Sequence, residues 1–233
     1  MALFDTPRRP SREELFGSDV ASRALSVTVV ETPFVRAVYQ GISSVYDLTF
    51  GPTLHPGRMQ AIRKLGIEPG DQVLEVGVGT GINAAIYPRH CQVTGIDLSP
   101  LMLARARERL ARKGVTNVRL LEMDATSLKF PDNAFDLVYA PYVISVVPDP
   151  VAVAVEMRRV CRPGGRFIFL NHFRSPNPLL ARIERAISPF TVHIGFKSDV
   201  DLPAFLAQAG LEPVSIERVN VPRIFSLVTC IKE

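Results

Sequence analysis

The sequence has no apolar run approaching the roughly 18 uninterrupted residues of a membrane-spanning helix, so no such span is expected. Its first residues carry Asp5, Arg8, Arg9, Arg12, Glu13 and Glu14 where a signal peptide would have an apolar core, which predicts a cytoplasmic chain. Cysteine is scarce. Cys91, Cys161 and Cys230 stand far apart, with neither metal-ligand spacing nor an evident disulfide pairing, as expected of core residues in a reducing compartment. No segment repeats, which excludes a solenoid. Acidic residues nearly vanish between Arg158 and Lys197, where Arg158, Arg159, Arg162, Arg166, Arg174, Arg182, Arg185 and Lys197 stand against Glu184 alone. The whole chain carries only +4, so positive charge is concentrated in this stretch and suits an anionic partner such as lipid phosphate or nucleic acid.

The chain's 233 residues, 47% of them hydrophobic, suffice for one domain with an added element. The pattern from Gln72 to Asp97 predicts a strand, a glycine-rich turn, a helix and a second strand ending in an acid. In Gly77-Val78-Gly79-Thr80-Gly81 a ligand can lie against bare main chain, since no Cβ intervenes at alternate positions. Asp97 follows the glycines by about 20 residues, the distance at which an acid binds a ribose in a βαβ unit.

The spacing argues against a dinucleotide. That site wants Gly-x-Gly-x-x-Gly, whereas here the third glycine comes one position early and Ile82 takes its place. Glu75 would repel a pyrophosphate, yet it suits the amino group of a cationic amino-acid cofactor. Glu75-x-Gly77-x-Gly79-x-Gly81 resembles the first motif of the class I S-adenosylmethionine-dependent methyltransferases.

Along the chain, residues 1–56 read as a charged tail followed by an amphipathic helix, with Phe34, Val38, Ile42 and Val45 on one face. That helix packs as a lid or touches a membrane. Residues 57–233 form the cofactor-binding domain, opening with a helix that buries Met59, Ile62 and Leu65. Ser99-Pro100 and Pro148-Asp149-Pro150 start two further helices, and Asp199 to Ala209 forms another. Strands are expected at Val118 to Met123, Phe135 to Tyr139 and Arg166 to Asn171, the last set off by Pro163-Gly164-Gly165. Glu212 to Arg218 and Phe225 to Ile231 end the chain as a hairpin pair. Alternating strands and helices imply an α/β fold, a mostly parallel sheet covered on both faces. The interval 172–198 far exceeds a usual connection and reads as a substrate-side insertion. Within it, Leu179, Leu180, Ile183 and Ile187 alternate with Arg182 and Arg185, as in a helix packed on the domain or one lying on lipid.

Four stretches together extend the resemblance to the bacterial, Rhodobacter-type phosphatidylethanolamine N-methyltransferases. They are Tyr46-Asp47-Leu-Thr-Phe-Gly51, Leu74 to Asn83, Tyr142 to Pro150, and Asn171-His172-Phe. The resemblance implies a Rossmann-like fold with a seven-stranded sheet, and S-adenosylmethionine as cofactor. It also implies stepwise methylation of phosphatidylethanolamine toward phosphatidylcholine at the cytoplasmic membrane face. On this reading Glu75, Gly77, Gly79, Thr80, Gly81, Asn83 and Pro141 hold the cofactor together with Tyr46. Asp97 takes the ribose, Asp124 and Ala125 the adenine amino group, and Leu98 and Met102 the adenine face. The alternative for Asp124 is a turn-forming role.

Tyr46 and Tyr142 offer aromatic faces to an acceptor that grows more cationic with each methyl. His172 either takes a proton, meets the lipid phosphate or is structural, and Arg182, Arg185 and Lys197 are candidates for that phosphate. A monomer, peripherally bound to an anionic membrane and binding neither metal nor nucleic acid, is expected. The alternatives are C- or O-methylation of a small quinone precursor, or a non-catalytic membrane-binding module.

Overall fold

The computed structural model describes residues 57–174, 182, 200–219 and 225–233. Helix α1 (57–64) ends at Gly66, whose positive φ of 59° turns the chain toward β1 (Gln72–Val76). The order then runs β2 (Gln92–Asp97), α2 (Pro100–Arg112), β3 (Val118–Glu122), β4 (Phe135–Pro141), α3 (Pro150–Val160), β5 (Cys161–His172), α4 (Leu202–Gln208), β6 (Pro213–Val219) and β7 (Phe225–Ile231). These strands form one seven-stranded sheet in the order β3-β2-β1-β4-β5-β7-β6. The first five are parallel, while β7 runs antiparallel to both β5 and β6.

Side-chain alternation sorts the strands between two layers. Leu74, Val76, Val138, Ala140, Phe167 and Phe169 face α3 and α4, where Val153, Met157 and Phe205 close the core. Val73, Leu137, Tyr139, Ile168 and Leu170 face the other way, onto Ala61, Ile62 and Leu65 at α1. Glu75, sharing parity with Val73, stands on the α1 side. Runs of apolar residues with no polar alternation are what a sheet covered on both faces requires.

The helix starts follow local chemistry. Ser99, Asp149 and Asp201 each accept a hydrogen bond from a backbone N–H three residues on, with proline in the first helical turn each time. Two sequence expectations are corrected. The helix after the glycine loop is a single 3-10 turn, Ala84–Ile86. Only a short stretch separates Gly81 from β2, and Tyr87 is extended before Pro88, which stops further winding. Pro163-Gly164-Gly165 does not precede β5 but lies within it, where the register with β4 shifts between Phe135 and Leu137. A Cβ on Gly165 would come within 2.8 Å of the Asp136 carbonyl and Cys161 Sγ, so the irregular strand closes only over a glycine.

The insertion's stems are tied together. Arg174 N–H donates to the Val200 carbonyl at 2.8 Å, and the Arg174 guanidinium pairs with Asp201, the cap of α4. Asp201 is buried and serves both bonds. Replacing Asp201 with Ala should cost about 2 kcal/mol, combining a lost cap with a stranded guanidinium, readable as a lower urea midpoint with an unchanged slope.

Candidate active site

Strand order reverses between β1 and β4, and ligands of open α/β sheets bind beyond the carboxyl ends of the strands at such a point. A cleft of about 520 Å³ lies there. Of the residues singled out in the sequence, Gly77, Gly79, Thr80, Asp97, Leu98, Met102, Asp124, Ala125, Pro141 and Tyr142 line it. Glu75, Asn83 and Gly81 do not reach its wall; the first two are buried in the floor, and Gly81 backs onto α2, where a Cβ would meet Ala106 at 3.0 Å. His172 is outside the lining and packs edge-on against Phe225, with ring centroids 6.1 Å apart. Tyr46, Arg185 and Lys197 lie outside the described residues, and Arg182 is helical and exposed.

The glycine loop is held from two sides. Gly77, Gly79 and Gly81 all have positive φ, which a side chain would strain. Asp97 Oδ2 accepts from the Gly79 N–H at 2.8 Å while Oδ1 accepts from the Ser99 N–H at 2.9 Å, so this acid braces loop and helix start together. Burial pushes Asp97 up from the ordinary carboxylate range, and the N–H groups of Ser99, Gly79 and Leu98 pull against that rise. On the other side Arg109 of α2 donates to the Thr80 carbonyl at 2.8 Å and to its hydroxyl at 3.0 Å. Gly79 has open space where a Cβ would be, whereas Gly77 does not: a Cβ there would lie 2.4 Å from Val143 Cγ2. Val143 therefore fills the room Gly77 leaves.

Asp124 makes the turn weighed for it, and it does so at the edge of the cleft. Its Oδ1 accepts from the Thr126 N–H and hydroxyl, both at 2.8 Å, and the turn so formed borders the cleft beside Met123 and Ala125. Asn171 is wholly buried: its amide donates to the His172 carbonyl and its oxygen accepts from Ser145. The Asn171-His172 pair thus ties the end of β5 to the loop after β4.

Beneath the loop lies a buried polar group of which the sequence reading named Glu75, Asn83 and Tyr142 but not Arg58 or Tyr139. Asn83 Nδ2 donates to Glu75 Oε1 at 3.0 Å, and Arg58 Nη1 donates to Asn83 Oδ1 at 3.2 Å. The Arg58 guanidinium also sits 4.7 Å above the Tyr142 ring centre. Tyr139 stands opposite Glu75 in the register of β1 and β4. Arg58 lies one turn before Ile62 on the apolar stripe of α1, and a cation at such a position was the available signal. Val143 and Arg109 left none. Tyr142 holds a φ of 63°, rare for a bulky residue, and its N–H donates to the Leu170 carbonyl at 2.6 Å. Such strain concentrates at functional sites.

Burial raises Glu75 from 4.5 to about 7, against the pull of Asn83, Tyr87 and Arg58, with the Asp97 charge adding to the rise. Burial likewise raises the Tyr87 and Tyr139 hydroxyls well above their ordinary range. A carboxyl whose pKa is higher folded than unfolded contributes its full stability below 4.5 and loses it as pH climbs to about 7. At about 1.4 kcal/mol per unit, ligand-free protein should lose on the order of 3 kcal/mol across that window relative to a Glu75→Gln variant. Urea titrations of both proteins at pH 4.5, 6 and 8 measure this difference.

The floor and walls suit an amino-acid-bearing nucleoside: bare glycine backbone, a loop-bracing acid, a cover of Leu98 and Met102, and a buried Glu75 whose Oε2 lacks a hydrogen-bond partner among the described residues. Comparison with known proteins agrees. Residues 74–169 match the family model described as a methyltransferase domain. The chain is 42% identical over 186 residues to the phosphatidylethanolamine N-methyltransferase of Cereibacter sphaeroides, covering 79% of this chain and 91% of that protein. It is 32% identical over 188 residues to the ubiquinone/menaquinone biosynthesis C-methyltransferase of Ectopseudomonas mendocina, covering 75% and 73%. A similar solved fold is a Thermotoga maritima S-adenosylmethionine-dependent methyltransferase, with a TM-score of 0.65, 20% identity, and coverage of 85% and 100%. From its fold, its glycine-loop site and these relatives, the chain belongs to the class I S-adenosylmethionine-dependent methyltransferases.

Proposed function

We propose that this enzyme methylates the amine of a phospholipid head group, with phosphatidylethanolamine as the first acceptor and monomethyl and dimethyl forms leading toward phosphatidylcholine. The observation that carries this reading is the 42% identity to a phosphatidylethanolamine N-methyltransferase, spread over most of both chains. The quinone C-methyltransferase relative is matched at 32%, and it supports a second reading in which the acceptor is an apolar quinone precursor.

When bound, S-adenosylmethionine supplies an electrophilic methyl group on a sulfonium. Transfer to an amine is an in-line displacement, so the protein's part is placement and exclusion of water. In this reading Asp97 accepts the ribose hydroxyls, Asp124 and Ala125 meet the adenine edge, and Leu98 and Met102 cover its face; all five line the cleft. The mouth beside Pro141 and Tyr142 is the acceptor side, with Val146, Val147 and Pro148 giving it apolar walls. No described residue has to act as a strong base, because an amine is nucleophilic once it has shed a proton to solvent. The acceptor role of the Tyr142 ring is modified by the structure, since Arg58 already lies over it. A cationic amine needs the ring's remaining face, since the edge carries positive potential, and Tyr46 remains a candidate for the rest of the aromatic surround.

The described helices include none long and apolar enough to cross a membrane. In this proposal the lipid is reached from the surface, at the cytoplasmic face of an anionic membrane, through the N-terminal amphipathic segment and the basic insertion with Arg182, Arg185 and Lys197.

Purified enzyme with methyl-labelled cofactor and phosphatidylethanolamine vesicles should yield labelled lipid amine. Label appearing only in a quinone precursor would give the second reading the site, and donor binding without any labelled product would favour a non-catalytic module. Because Arg174 and Val200 are already hydrogen-bonded neighbours, a short Gly-Ser linker can replace 175–199. That protein should keep its donor affinity, measured by calorimetry, and lose lipid methylation. Retained lipid turnover would remove the insertion from acceptor recognition.

A further inference from the structure

Arg58 borders the cleft, yet it is only 6% exposed. A guanidinium so deeply placed needs its N–H donors satisfied, and it has five of them. One meets Asn83 Oδ1, Cζ lies over the Tyr142 ring, and Nε has no partner among the described residues. The buried carboxylate of Glu75 is not its direct hydrogen-bond partner. Asn83 stands between, donating to Glu75 at 3.0 Å and accepting from Arg58 at 3.2 Å. Glu75 Oε2 also lacks a partner among the described residues. One amide therefore separates a buried cation from a buried carboxylate, each with hydrogen-bonding capacity left over, at the Gly77 end of the cleft.

This arrangement is complementary to a group carrying an ammonium and a carboxylate on one carbon. We infer that Arg58 binds the α-carboxylate of the cofactor's amino-acid tail, with its guanidinium oriented by Tyr142 and Asn83. The inference rests on the cofactor and not on the acceptor. A planar fork of N–H groups matches a carboxylate in two-point contact, which an ammonium on a lysine cannot reproduce. Placement of Glu75 one amide away sets the ammonium end of the tail toward the floor. Tyr142 gains a role besides any acceptor contact: its unusual backbone conformation aims the ring at the guanidinium. An anionic oxygen at Arg58 has a second conceivable source, the phosphate of a lipid head group, and the experiment separates the two.

Calorimetry without any acceptor should compare S-adenosylhomocysteine, which keeps the amino-acid tail, with 5′-methylthioadenosine, which lacks it. In Arg58→Met the first should bind about 10- to 100-fold more weakly, the loss expected for a charge-assisted bond, while the second stays within about twofold. Arg58→Lys retains a cation and should fall between, and it decides the matter should the Met variant fold poorly. Equal loss for both ligands, or no loss for either, would overturn the assignment. So would unchanged S-adenosylhomocysteine binding accompanied by a raised KM for phosphatidylethanolamine vesicles, which would give Arg58 to the phosphate. A chain that never methylates lipid but shows the split between the two nucleosides would leave Arg58 assigned and end the phospholipid proposal alone.

Discussion

A carboxylate shut away from water constrains everything around it. Glu75 is wholly buried where the sheet changes direction, and no single partner neutralises it. Its compensation is spread over Asn83, Tyr87 and Arg58, drawn from the loop, the 3-10 turn and the helix before the sheet. Burying a charge without a matched counter-ion is costly, and the raised pKa of Glu75 is the visible form of that cost. A cationic ligand end nearby would favour the ionised form, so the floor is set for a positive group before one arrives.

Rigidity above this floor comes from ties between elements. Asp97 joins the tip of β2 to the glycine loop and to the first turn of α2, and Arg109 fastens Thr80 from the far end of the same helix. Both ties use side chains on regular elements to fix main-chain N–H and C=O groups on a loop, which keeps those groups in place without ligand. Preorganisation of that kind lowers the ordering cost of binding.

Much of this was legible in the chain. Proline after a capping Ser or Asp marks the starts of α2 and α3, and the last strand has the bounds its apolar run predicts. The acids that end β2 and follow β3 come to one cleft because parallel strands put their carboxyl ends together. The shortfalls have particular causes. The span from Gly81 to β2 carries helix-forming residues, and only its brevity and Pro88 reduce it to one turn. A Pro-Gly-Gly triplet signals a break, yet Cys161 before it and Arg166 after it both pair with β4 and the strand passes through it. Arg58 is close in sequence to Arg63 and Lys64 and looks like a solvated cation until the helix it belongs to is packed onto the sheet.

The contact of Gly77 with Val143 joins the two halves of the site. Gly77 belongs to the glycine loop proposed to hold the donor, and Val143 follows Tyr142, proposed to face the acceptor; their atoms leave no room for a methyl group between them. Neither loop can shift outward or gain bulk without displacing the other. Substitutions that retune the enzyme for another acceptor by reshaping the segment after β4 will therefore be felt as changes in donor affinity, and selection on the two substrates cannot proceed independently at this point in the fold.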